Sequence, residues 1–171
     1  MFQVNDVVVY GNHGICKVTD VGTLLVSGAD KYKQYYTLHP VYQREAVFYV
    51  PVDNTKIMIR LALSKKEAEQ LINDIEEMES AWIVNEKERE AQYKAALHSC
   101  DCRELIKIIK TLYERKQSRI QDGKKVTTVD ERYFHLAEAQ LYEELAYALE
   151  MKREEVGTYI ANYISKEKSI N

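Results

Sequence analysis

The stretch FQVNDVVVYGNHGICKV, Phe2 to Val18, decides how the rest of the chain is read. Val7, Val8, Val9 and Tyr10 form a β-branched and aromatic run that favours a strand. Gly11-Asn12-His13-Gly14 interrupts it with residues that tolerate positive φ, and Ile15 to Val18 resumes an extended pattern. The stretch therefore predicts a β-hairpin. Nothing in this hairpin is expected to be catalytic. A hairpin of this kind serves as one wall of a small barrel that docks on a partner.

Working outward, Val18–Val26 predicts a second strand, closed by the turn cluster Ser27-Gly28-Ala29-Asp30. Tyr32–Leu38 predicts a third, Ala46–Val50 a fourth and Ile57–Leu61 a fifth, with a turn at Pro51-Val52-Asp53-Asn54. Five short strands in so little chain suggest a strongly bent sheet or half-open barrel of the Tudor or SH3 kind, whose edges invite pairing.

After Leu63 the pattern becomes helical. Ser64 with Glu67 is a capping box, and similar start signals recur at Asn85 with Glu88, Asp101 with Glu104, and Thr128 with Glu131. Leu71, Ile72, Ile75 and Met78 share one helical face. In the third helix Leu105, Ile108, Ile109, Leu112 and Tyr113 form the apolar stripe. In the fourth, Tyr133, Leu136, Ala137, Leu141, Leu145, Ala148 and Leu149 point inward. A fifth helix runs from about Arg153 to Ile164, and Ser165–Asn171 reads as a frayed tail. The fold class is α+β, a small five-stranded Tudor/SH3-like module over residues 1–63 followed by a compact all-α domain of about five helices over 64–171.

Composition narrows the function. A hydrophobic fraction of 46% supports a real core, and no apolar run is long enough to cross a bilayer. Without a basic, hydrophobic leader the chain is expected in the cytoplasm. Cys16, Cys100 and Cys102 are odd in number and suit reduced thiols. His98, Cys100 and Cys102 are too closely spaced for a zinc knuckle and lack a second cluster, so no metal and no cofactor are expected. No nucleophile motif, phosphate loop or dinucleotide fingerprint is present, so the chain reads as a non-enzyme. His13, His39 and His135 suit structural or surface roles.

A net charge of −3 argues against general affinity for nucleic acid, but the charges are segregated. Residues 67–90 are acidic, whereas 103–125 carry Arg103, Lys107, Lys110, Arg115, Lys116, Arg119, Lys124 and Lys125. Arg103, Lys107 and Lys110 share a helix face. With Arg89, Lys94 and Arg132 they form a candidate phosphate track, or else a solvated face. Trp82, the only tryptophan, is either an anchor packing the linker or an exposed wedge able to enter a minor groove.

The opening stretch resembles the start of CarD-like bacterial transcription regulators, which reads roughly F-x-V-G-D-x-V-V-Y-x-x-H-G. Phe2, Val4, Asp6, Val8, Val9, Tyr10, His13 and Gly14 match it, and Asn5 stands at its glycine. The same module occurs in transcription–repair coupling factors. Later, Asp101-Cys-Arg-Glu-Leu105 is similar to the family's S-G-D-x-x-x-L helix start. Leu112 and Arg115 resemble its R-x-L-W-R-R segment, and Glu144-Leu-Ala its final G-E-L-A.

The resemblance implies a module that binds the RNA polymerase β subunit through strand edges. The strand running into V-P falls on Phe48, Tyr49, Val50 and Pro51. Two arginine contacts of one family member fall on Tyr49 and Leu24, so the implied polymerase face is more apolar here. The helical domain of such regulators contacts promoter double-stranded DNA, at phosphates and in the minor groove, and many place a Trp wedge near its start. Arg89, Tyr93 and Lys94 resemble the W-S-R-R-Y-K stretch that carries it, while Trp82 lies earlier and Glu86 takes the aligned position.

The expected function is thus a monomeric regulator that stabilises the promoter open complex. The alternatives are a protein–protein interaction module on polymerase or a helicase without DNA contact, and an RNA- or ribosome-associated helical adaptor.

Overall fold

The computed structural model describes residues 1–81 and 83–170, with backbone alone at 167 and 170. These form two compact units, Met1–Ala62 and the helices from Leu63 onward.

The first unit is a five-stranded antiparallel sheet. Its strands are β1 (Val7–Tyr10), β2 (Ile15–Gly22), β3 (Tyr35–Pro40), β4 (Phe48–Pro51) and β5 (Ile59–Leu61), in the order β4-β3-β2-β1-β5. The opening hairpin pairs Val7 with Lys17 and Val9 with Ile15. Its second arm does not end at Val18. It continues to Gly22 as a single strand, with a register shift between Val18 and Asp20 that re-aims the strand without breaking it. β3 begins at Tyr35 rather than Tyr32, because Asp30 turns the chain by accepting from the Tyr32 N–H at 2.9 Å. Pro51 belongs to β4 rather than to the turn after it, and an edge strand tolerates its missing N–H.

Two backbone positions fix the entry to the sheet. Asn5 has φ 79°, in the left-handed region that asparagine tolerates. Gly11 has φ +47°, its N–H reaches the Met58 carbonyl at 2.8 Å, and a Cβ there would lie 2.5 Å from Ile57 Cγ2. Alternation along the strands then buries Val8, Tyr10, Cys16, Val18, Tyr36, Leu38 and Val50 in one core. His13 packs against Tyr10 and Phe48, with ring centroids 5.1 and 4.4 Å away.

The described residues of the second unit form five α-helices, α1 (Lys65–Asp74), α2 (Arg89–Ser99), α3 (Cys102–Gln121), α4 (Thr128–Ala148) and α5 (Arg153–Ile170). Ser64 and Glu67 form the expected capping box. Asn85 caps a 3-10 turn over Glu86–Glu88 that leads into α2, and Asp101 caps α3 by accepting from the Arg103 N–H. The α4 cap is Thr127, one residue before the expected Thr128, because its hydroxyl takes the Asp130 N–H. α1 stops at Asp74, so Met78 packs from the following segment rather than from the helix. α5 runs through the expected tail to Ile170.

α3 divides the core. Cys102, Leu105 and Ile106 join a cluster with Ala68, Ile72, Leu141 and Leu145, whereas Ile108 and Leu112 join Tyr93, Ala96 and Tyr133. Because α3 packs on two sides, its buried face includes Ile106 and excludes Tyr113, which is 55% exposed. Leu136 of α4 is likewise exposed, where a narrow stripe had placed it inward. No helix among the described residues is long and apolar enough to cross a membrane.

Candidate functional site

β4 is one end of the sheet order, so it has a sheet partner on one side only. Its pleat sorts the four candidate residues. Val50 is 1% exposed and Phe48 packs on the same core, so both are held by the unit itself. Tyr49, on the opposite pleat, is 48% exposed. Across the sheet, Gly22 of β2 pairs with Tyr35 of β3, and Tyr35 pairs with Pro51. Leu24, two residues past Gly22 and half-buried, therefore lies toward the Pro51 end. The edge thus offers backbone groups and one exposed tyrosine ring. An extended segment could add to it as a further strand.

The cations singled out on the helices are brought into ion pairs and hydrogen bonds instead of lying free. Arg103 pairs with Asp74 at 2.5 Å, Lys107 with Glu104 at 2.8 Å, and Lys110 Nζ donates to the Met78 carbonyl at 2.5 Å. Lys94 and Arg132 share Glu90, at 3.3 and 3.2 Å. Arg89 Nε donates to Glu86 at 2.7 Å. Hydrogen bonds from Arg89 and Arg115 hold the Glu86 carboxyl below its ordinary range, and those from Tyr133 and Lys94 do the same for Glu90. Trp82 falls outside the described residues. The helical unit as a whole carries 18 Lys and Arg against 22 Asp and Glu, so it has no net attraction for a polyanion.

Residues 2–62 match a family described as the CarD-like/TRCF RID domain. The N-terminal unit is a RID domain. These domains are RNA polymerase-interacting modules shared by CarD-like regulators and transcription–repair coupling factors. No curated protein matches the chain.

The RID domain ends where the helical unit begins, and sequence reading missed what holds the first turns of that unit. Glu144 is 3% exposed and accepts from the Leu63 N–H at 2.9 Å and from the Cys102 thiol at 3.0 Å. Asp130, 6% exposed, accepts from Arg115 Nε at 2.6 Å and from the Tyr93 hydroxyl at 3.1 Å. Burial raises the Tyr93 phenol above its ordinary value, which keeps it protonated to donate. Thr111 Oγ1 accepts from the Ala81 N–H at 2.8 Å and tethers the α1–α2 connection to α3. The only available signal was a polar residue inside an apolar period, and sequence gives no partner for it. Among the described residues, no His, Cys, Asp and Glu converge as a metal site.

Proposed function

We propose that the chain is a transcription regulator that docks on the RNA polymerase β subunit and contacts upstream promoter DNA, stabilising the open complex. The RID domain match supports the docking on polymerase. In it, the RID domain grips polymerase through Phe48–Pro51 and Leu24, and the helices from Ser64 onward face the DNA. Of the five docking residues, Tyr49 is the one that offers an exposed ring, while Val50 contributes backbone. Contacts made only while the bubble edge is distorted shift the equilibrium toward the open form. Tethering by one contact raises the local concentration for the other, so neither need be tight alone.

Trp82, Arg89, Lys94, Arg103, Lys107, Lys110 and Arg132 are the DNA-facing residues in this reading. The pairing of six of them within the chain favours a second reading, in which the protein occupies polymerase without touching DNA. A phosphate would have to displace an existing partner at each, for little net gain.

Purified polymerase and the full chain separate these outcomes. Tyr49→Glu, at an exposed edge position, is expected to lower polymerase affinity at least tenfold with an unchanged unfolding midpoint. Equal binding by the variant and the parent would remove the β4 edge from the proposal. Normal polymerase binding with no change in open-complex lifetime would leave the second reading.

A further inference from the structure

Of the cations of the helical unit that form no ion pair among the described residues, four gather at the turn joining α3 to α4. Lys116, Lys124 and Lys125 are exposed and have no ion-pair partner among the described residues. Arg119 is half-buried. Its Nε donates to the Lys125 carbonyl at 2.8 Å, so its charge is uncompensated by any carboxylate.

The turn is closed by backbone bonds. Gly123 N–H reaches the Ile120 carbonyl at 3.0 Å and Lys124 N–H the Arg119 carbonyl at 2.8 Å. Gly123 at φ +71° supplies the left-handed step that this helix ending needs. Lys124 and Lys125 are thereby folded back onto the last turn of α3, beside Arg119. Lys116 stands one turn earlier, three residues from Arg119 on the same side of the helix. Asp122 in the turn and Asp130 and Glu131 at the start of α4 are nearby carboxylates, the last two lining one groove with Lys116; Asp130 pairs with Arg115, and none of the three forms an ion pair with the four. Four cations therefore act over a region comparable with the screening length of about 8 Å in physiological salt. A unit of net negative charge can still present a strong local positive field there.

We propose that the α3–α4 turn, through Lys116, Arg119, Lys124 and Lys125, is a surface of the helical unit that contacts DNA phosphates. This rests on the DNA contact proposed above and adds a surface to it. A free lysine gains the whole counterion-release term when it meets a phosphate, whereas a paired one must first give up its carboxylate.

The test is fluorescence anisotropy of a short labelled DNA duplex with the full chain over a range of salt. Lys124→Glu with Lys125→Glu is expected to weaken binding at least tenfold at low salt. The slope of log affinity against log salt should fall by about two. Lys65→Gln with Lys66→Gln, exposed at the start of α1 and outside both sets of residues, should bind like the parent. All three proteins should share one unfolding midpoint, since the changed residues lie outside the core. If the parent binds and Lys124→Glu/Lys125→Glu binds equally well, the turn is wrong while DNA contact stands. If the parent does not bind duplex even at low salt, both fall. Binding of polyglutamate as tightly as duplex would overturn the assignment to phosphate.

Discussion

Arg115 and Asp130 form an enclosed ion pair in the helical unit, with Nε 2.6 Å from Oδ2 and the two side chains 21% and 8% exposed. Arg115 also reaches Glu86 at 2.8 Å, and Glu86 takes Arg89 at 2.7 Å, so one chain of charges runs from the start of α4 to the start of α2. The two ends differ in burial. Asp130→Ala would leave the buried Tyr93 hydroxyl without its acceptor and Arg115 with Glu86 alone, and should cost about 3 kcal/mol. Glu86→Ala removes a carboxylate that is 63% exposed and should cost under about 1 kcal/mol. Urea unfolding of both variants checks this; equal losses would mean that the burial difference does not govern the network.

Glu86 of this network, together with Glu90 and Asp74 outside it, sets a pH response. Glu86, Glu90 and Asp74 are all held below their ordinary carboxyl range, by Arg89, by Tyr133 and by Arg103 respectively as the leading cause. A carboxylate depressed in the folded state binds fewer protons there than in the unfolded chain. Stability therefore rises with pH through the interval between the lowered and the ordinary values. The contribution is complete above the ordinary value and is lost as acid carries the pH down through the lowered ones. Urea midpoints should hold steady above about pH 5 and fall below it. A Glu86→Gln protein should show a shallower fall, and an identical acid limb in both proteins would contradict this account.

Sequence made the sheet legible because its signals are local. Two-residue alternation, positive-φ residues at Asn5 and Gly11, and the capping box at Ser64 each act within a few positions. Boundaries slipped where a distant partner decided them. β2 runs on past Val18 because β3 pairs with it as far as Gly22. Thr127 displaces Thr128 as cap because both are hydroxyls, and only geometry chooses between them. The phosphate track was the least legible feature. A row of cations on a helix looks free in one dimension. Asp74 and Glu90, supplied by other helices, neutralise part of it only in three.

Gly11 offers a sharp test of the RID domain. An alanine there would have to hold φ near +47° and place a methyl against Ile57 Cγ2. Left-handed strain and the clash act together, so Gly11→Ala should destabilise the domain by about 2–3 kcal/mol. Gly123→Ala has the same left-handed requirement, at φ +71°, but open space around it. It should cost only about 1 kcal/mol. Thermal unfolding of the two variants separates the steric part from the backbone part, and equal midpoints would show that Ile57 simply moves aside.

Glu144 ties the first residue of the helical unit to the start of α3, through the Leu63 N–H and the Cys102 thiol. The thiol donates to the Glu144 carboxylate and is almost wholly buried, so Cys102 should be a poor nucleophile. Cys16 and Cys100 are fully buried as well, and Cys102 is only 5% exposed. In the native protein all three thiols should react slowly with a disulfide reagent, at a rate that follows the population of opened molecules. Glu144→Ala leaves the Leu63 N–H and the thiol without this acceptor, and should cost about 2 kcal/mol. It should also speed labelling of Cys102 far more than that of Cys16, which lies in the RID domain. Parallel acceleration of both, followed by peptide mapping, would mean that Glu144 supports the whole chain rather than this one junction.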